Sequence, residues 1–375
     1  EELRDGEPPG PGAVADLMQR HPGVGLTPVV VGPHAAFEVA LGQCGVDAVV
    51  GTAHSPAQLG GGHGCAGAGG LTGGLGDTDD YLRFVRVFQL MDGQTTDSYI
   101  INRMGVSGGG VAWTPVLDWL LAGLVTLGSL FTDRQQAALW VATLYPPTLL
   151  LGFILAVFWY GCQTGNARLA QRAPLALIML WAVLFQFAPG RVDHHNIQAI
   201  ILAITCGLLI RLYRFPDRRK VAMLAGGLMA FAWSIGAEAV PWVALVMAAI
   251  GTFWLWHGGV FLRAGSVFAT TLLLGTALLI PVTRGFDGFL SVECDGISLS
   301  FLAFAVAGFA FWQGLRFLPA RYLASMRGRF FAGSIFAAAL ASLLYFLLGD
   351  CVHDPYSVND PLLRDMWLEV VNEAR

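Results

Sequence analysis

From residue 137 onward the chain is a succession of apolar runs, and no other feature restricts its fold so strongly. The runs fall at 137–161, 173–189, 197–213, 221–236, 240–256, 264–282, 300–315 and 330–348, joined by short polar loops. Each comes near the roughly 20 residues that carry a helix across a bilayer core. Backbone groups left unpaired in lipid are too costly to tolerate, so such runs become helices. Only 13% of the 375 residues are charged and 55% are apolar, where a soluble domain is about 25% charged. The expectation is an all-α, polytopic transmembrane helical bundle of about eight spans, integral to a membrane and in contact with its lipid. A formal charge of −4, with no basic run interleaved with aromatics, excludes nucleic acid as a partner.

The basic residues orient the bundle. Loops 162–172, 211–220, 257–263 and 316–329 hold twelve Arg and Lys together, and the alternate set 190–196, 237–239, 283–299 and 349–375 holds four. Cytoplasmic loops carry the excess of positive charge, so the second set lies outside. Most of the loop acids lie there too, among them Asp193, Glu238, Glu293 and Asp295, against Asp217 alone in the inner loops.

Residues 1–76 differ from the rest. They open acidic and Pro/Gly-rich and end in a glycine tract, a composition that buries too little apolar surface to offset the entropy of ordering. The expectation there is a low-complexity, disordered or corrupted N-terminus. Asp79-Asp80 then open a segment with apolar residues at 81, 84, 85, 88 and 91, the spacing of an amphipathic helix with acids at its favoured end. The apolar run 116–131 is too short to span and contains Asp118, so it reads as a helix along the membrane face or tucked into the protein, with Asp118 turned to water or to an arginine.

Between two of the apolar runs stands Pro189-Gly190-Arg191-Val192-Asp193-His194-His195-Asn196. Ionisable groups beside lipid are expensive and are functional hypotheses by default. An acid and two imidazoles can bind a divalent cation or relay protons; they can also merely cap the loop and the following helix. Glu238 with Pro241, and Asp295 between Cys294 and Gly296, read first as turns. Cys294 and Cys351 both fall in outer loops, where thiols can oxidise. The reading taken is two unpaired thiols, with a disulfide as the alternative.

The order of these motifs resembles a known family. An acid pair followed by an aromatic (Asp79-Asp80-Tyr81), then Asp193-His194-His195, then Val371-Asn372-Glu373-Ala374 is similar to the GT-C membrane glycosyltransferases. The likeness is to the catalytic subunit of oligosaccharyltransferase in its archaeal and bacterial single-chain forms, over 79–375. It implies a GT-C transmembrane domain over 77–375, incomplete at both ends and lacking the family's soluble C-terminal domain, so the chain is expected to be a fragment. The implied activity is transfer of a glycan from a polyprenyl-phosphate or -pyrophosphate donor to a protein or glycan acceptor, on the extracytoplasmic face of a prokaryotic plasma or inner membrane. The implied cofactor is Mg²⁺ or Mn²⁺, held by Asp80, Asp193, His195 and Glu373. Asp80 and Glu373 are the implied catalytic groups. Asp79, Arg191, His194, Arg284 and Arg364 are the implied substrate contacts, the arginines suiting a donor phosphate. The rival readings are a multi-pass transporter or lipid flippase, and a non-catalytic remnant.

Overall fold

A computed structural model describes Leu75 and residues 78–93, 100–101, 109–110 and 113–353. The expectations for the N-terminal 76 residues, Leu75 aside, and for Arg364 and Glu373 lie outside the described residues.

The described chain is helical apart from a two-residue antiparallel pair, Ile100–Ile101 with Gly109–Gly110. The amphipathic helix α1 (Thr78–Met91) and α2 (Val116–Gly128) pack against each other ahead of the bundle. At 13 residues α2 is too short to span. It buries Leu117, Leu121 and Val125 and exposes Trp119, Leu120 and Leu127.

Among the described residues, six helices are long and apolar enough to cross a membrane: α3 (Arg134–Gln163), α6 (His195–Arg214), α8 (Val240–His257, entered through a 3-10 turn at Ala237–Ala239), α9 (Gly259–Arg284), α10 (Leu299–Phe317) and, after the short α11 (Ala320–Leu323), α12 (Met326–Leu347). Their exposed faces carry Leu144, Leu151, Leu155, Leu274, Leu278, Phe330, Phe331 and Phe346. Apolar surface on this scale belongs in lipid. The molecule is a multi-pass integral membrane protein.

Two of the expected spans take other forms. The run 221–236 is α7 (Arg219–Ile235), only 17 residues long but enclosed by its neighbours. The run 173–189 is not one helix. It begins in α4 (Ala167–Ala176), which contains Pro174, passes through a 3-10 turn at Leu177–Met179, and ends in α5 (Trp181–Phe185). A mean of hydropathy over the run cannot register that break.

Contacts between loops show which helix ends lie together. Arg214 Nη1 donates to the Gln163 carbonyl at 2.6 Å, and Arg329 donates to the carbonyls of Leu255 and Trp256. At the other end, Gly190 N–H donates to Ala142 O near the start of α3, and His194 meets Glu238. Cys294 is joined to Cys351 by a disulfide, with Cα atoms 5.1 Å apart. This corrects the expectation of two free thiols. The last membrane helix returns the short α13 (Gly349–His353) to the loop before α10, a proximity that sequence spacing does not reveal.

The core of the bundle is the α7–α9 contact, built on Ala222, Ala225, Met229, Phe268, Ala269 and Leu272. Gly226 allows it: a Cβ there would overlap the Phe268 carbonyl oxygen. Gly226→Ala should therefore cost about 1–3 kcal/mol, the usual penalty for overpacking. Thermal unfolding in detergent micelles would measure it, and an unchanged midpoint would refute the close approach.

Candidate functional site

The site is assembled where α1 lies against the loop that precedes α6. Gly190 makes the turn. Its φ of 92° is left-handed and strained for any residue with a side chain, and it lets the chain present Arg191, Val192 and Asp193 in succession toward α1.

Asp80, in the first turn of α1, is fully buried. Its Oδ1 accepts hydrogen bonds from the backbone N–H groups of Val192 (2.7 Å) and Asp193 (3.0 Å), and its Oδ2 accepts from Arg191 Nη1 (3.2 Å). The carboxylate thus fastens α1 to the loop. Burial, and then the nearby Asp193 charge, push its pKa up to about 7, against the pull of the two backbone donors. Arg191, also buried, is held between Asp80 and Gln186 Oε1 (2.7 Å).

One helical turn along the same face, Arg83 is buried completely. It donates to Asp118 Oδ1 at 3.0 Å and Asp193 Oδ1 at 3.1 Å, and its guanidinium lies 4.4 Å over the Trp113 ring. Arg86, three residues further, pairs with Asp118 Oδ2 at 2.7 Å and donates to the Trp113 carbonyl. Asp118, the isolated acid in an apolar run, is thus turned to arginines, two of them. Buried charges persist only when paired. Here three carboxylates (Asp80, Asp118, Asp193) lie among three guanidiniums (Arg83, Arg86, Arg191) and the His194 imidazole.

Asp193 is the junction. Its Oδ1 lies 2.5 Å from His194 Nδ1, and its Oδ2 lies 3.4 Å from His195 Nε2. The other nitrogen of His194, Nε2, meets Glu238 Oε2 at 3.1 Å. Burial alone would raise the Asp193 pKa, but His194, Arg83 and His195 hold it well below the usual carboxylate range. Burial alone would lower that of His194, but Asp193 and Glu238 outweigh it and push the imidazole up.

Asp193, His194 and His195 each offer a ligand atom, all within 4.8 Å of one another, a grouping able to hold a metal ion. Asp80 stands beside this group, with its oxygens engaged by the loop. Asp79 is partly exposed next to it. Arg284 pairs with Glu293 at 3.0 Å in the loop before α10. That loop comes near Glu238. Burial raises the pKa of Asp295, and the charge of Glu238 adds to the effect.

The structure therefore brings together Asp80, Arg191, Asp193, His194 and His195 from the sequence-derived candidates. It adds Arg83, Arg86, Asp118 and Glu238. The signal for the first two was present as Asp80, Arg83 and Arg86 at three-residue intervals, one face of a helix. Glu238 occupies the turn expected of it and also touches His194. Comparison of the chain with protein-family models, curated proteins and solved structures finds no match.

Proposed function

We propose that the protein is a metal-dependent membrane glycosyltransferase of GT-C type. It would move a glycan from a polyprenyl-phosphate or -pyrophosphate donor to a protein or glycan acceptor on the extracytoplasmic face. The observation that carries the reading is the buried grouping of Asp193, His194 and His195, with donor atoms within 4.8 Å, at the mouth of a membrane helix. A transferase for a lipid-linked donor needs its charge-stabilising site at that depth, where the donor arrives sideways from the bilayer. The GT-C reading takes the chain across the membrane eight times, counting the six long apolar helices, α7 and the broken segment 167–187.

A carboxylate beside an imidazole, Asp193 with His195, suits a cation that accepts a nitrogen ligand. That favours Mn²⁺ over Mg²⁺, which prefers oxygen. A divalent cation there would supply the positive charge that a departing phosphate needs. The residues of the chain do the rest. Asp193 and His195 hold the cation. Asp80 and Arg191 fix the loop that carries them. Glu373 would orient the acceptor N–H or O–H, and Arg284 or Arg364 would contact the donor phosphate.

A second reading has an observation of its own. Asp193, His194 and Glu238 form a hydrogen-bonded chain from a buried acid to a carboxylate whose side chain is 50% exposed, which is how a proton-coupled transporter or flippase would relay protons. The two separate cleanly in proteoliposomes. The transferase predicts Mn²⁺-dependent glycosyl transfer from native lipid-linked donors, lost in the Asp193→Ala/His195→Ala double variant. Full transfer by that variant would end the cation-site reading, and proton flux without transfer would install the rival.

A further inference from the structure

We propose that Glu238 is a positioning residue for this cation group: through His194 it holds the Asp193 carboxylate so that Asp193 Oδ2 and His195 Nε2 face the cation. The inference rests on the cation reading above and assigns the three neighbouring groups unequal roles.

Both ring nitrogens of His194 are already engaged by carboxylates, Nδ1 by Asp193 at 2.5 Å and Nε2 by Glu238 at 3.1 Å, and the residue is 1% exposed. The Oδ1 side of Asp193 is closed further by Arg83, whose Nη2 lies 3.1 Å from Oδ1 and 3.4 Å from His194 Nδ1. A divalent cation placed there would sit against a buried guanidinium, and like charges at such distances repel strongly where water is excluded. The opposite side is different. Oδ2 looks toward His195 Nε2, whose side chain is 19% exposed. The cation edge of the group is therefore Oδ2 with His195, and His194 is a strut behind it.

The strut ends on a separate element. Glu238 belongs to the 3-10 turn between α7 and α8, so the His194–Glu238 contact ties the loop before α6 to that turn. Gly236 makes room for it: a Cβ at Gly236 would overlap both Glu238 Oε2 and His194 Nε2. An outer partner that fixes an imidazole or carboxylate in this way commonly contributes 10- to 100-fold to metal affinity.

The test is Mn²⁺ binding to the purified full chain in detergent, followed by calorimetry and by electron paramagnetic resonance, with the thermal midpoint of each variant recorded. The unmodified protein should bind Mn²⁺, and Asp193→Ala should abolish binding. Glu238→Ala should weaken it about 10- to 100-fold, and Gly236→Ala, which removes no ionisable group, should act in the same direction. Glu238→Gln keeps an oxygen that accepts from Nε2–H and should stay within about threefold of the parent. Binding lost in Asp193→Ala but unchanged in Glu238→Ala would overturn the strut and leave the cation reading standing. Glu238→Gln as weak as Glu238→Ala would make Glu238 a ligand and overturn the positioning role. Absence of Mn²⁺ binding by the unmodified protein would overturn both readings.

Discussion

Arg83→Met should lower the stability of the protein by about 3–5 kcal/mol, the usual cost of removing one partner from a buried ion pair. The side chain fits the space and keeps the apolar contact with Trp113, so the loss isolates the charge. Without Arg83, Asp193 keeps His194 and Asp118 keeps Arg86, but the guanidinium that bridges these two carboxylates is gone from a dry cluster. Arg83→Lys should recover only part of the loss. A lysine presents a point charge, while Arg83 uses separate nitrogens for Asp118 and Asp193 at 3.0 and 3.1 Å and a flat face for Trp113 at 4.4 Å. Thermal unfolding followed by circular dichroism in detergent would rank the three proteins. A Met variant as stable as the parent would show that the cluster does not hold α1 to the loop.

The same cluster shows why the sequence could be read only partway. Asp193, His194 and His195 were legible because an acid and two imidazoles between apolar runs have no bland composition to hide in. Asp80 was legible as a helix-opening acid, but its work was not. A helix N-terminus would have used it locally, whereas the structure gives its oxygens to Val192, Asp193 and Arg191, more than 110 residues away. The buried face of α1 coincides only in part with its apolar residues. Apolar spacing pointed to 81, 84, 85, 88 and 91. The structure buries Asp80, Arg83, Phe84, Val87 and Phe88 and leaves Tyr81, Val85 and Met91 partly exposed. Hydropathy ranks an arginine as a surface residue, and only the partners on α2 and the Asp193 loop reverse that ranking. The long apolar helices needed no such partners, since composition alone commits them to lipid. Composition does not place the break within 167–187, where the turn at Leu177–Met179 packs Leu177 with Phe153 and Phe187.

Removing the Cys294–Cys351 bridge, by Cys294→Ser with Cys351→Ser or by reduction, should cost up to about 4 kcal/mol on the chain-entropy scale for a sequence separation of 57. The value is an upper figure, because α10 and α12 stay in the membrane when the bridge is cut and already restrict the chain. The effect should concentrate on α12. Among the described residues that helix buries only Arg329 and Gly333, both near its start, so its far half is held by lipid and by the covalent tie through α13. The loop before α10 has supports of its own. Ser298 bridges back to both backbone groups of Glu293, and Glu293 pairs with Arg284. Hydrogen exchange should therefore quicken at 340–353 after reduction and change little at 293–300. The bridge also tests the topology, because it forms only where thiols oxidise. Mass spectrometry without reduction should find both cysteines blocked while Cys162, exposed at the opposite end of the bundle, reacts with a membrane-permeant maleimide alone. Reaction of Cys294 and Cys351 in the unreduced protein would remove the bridge. Labelling of Cys162 by an impermeant reagent in intact cells would turn the bundle over and place the Asp193 group inside.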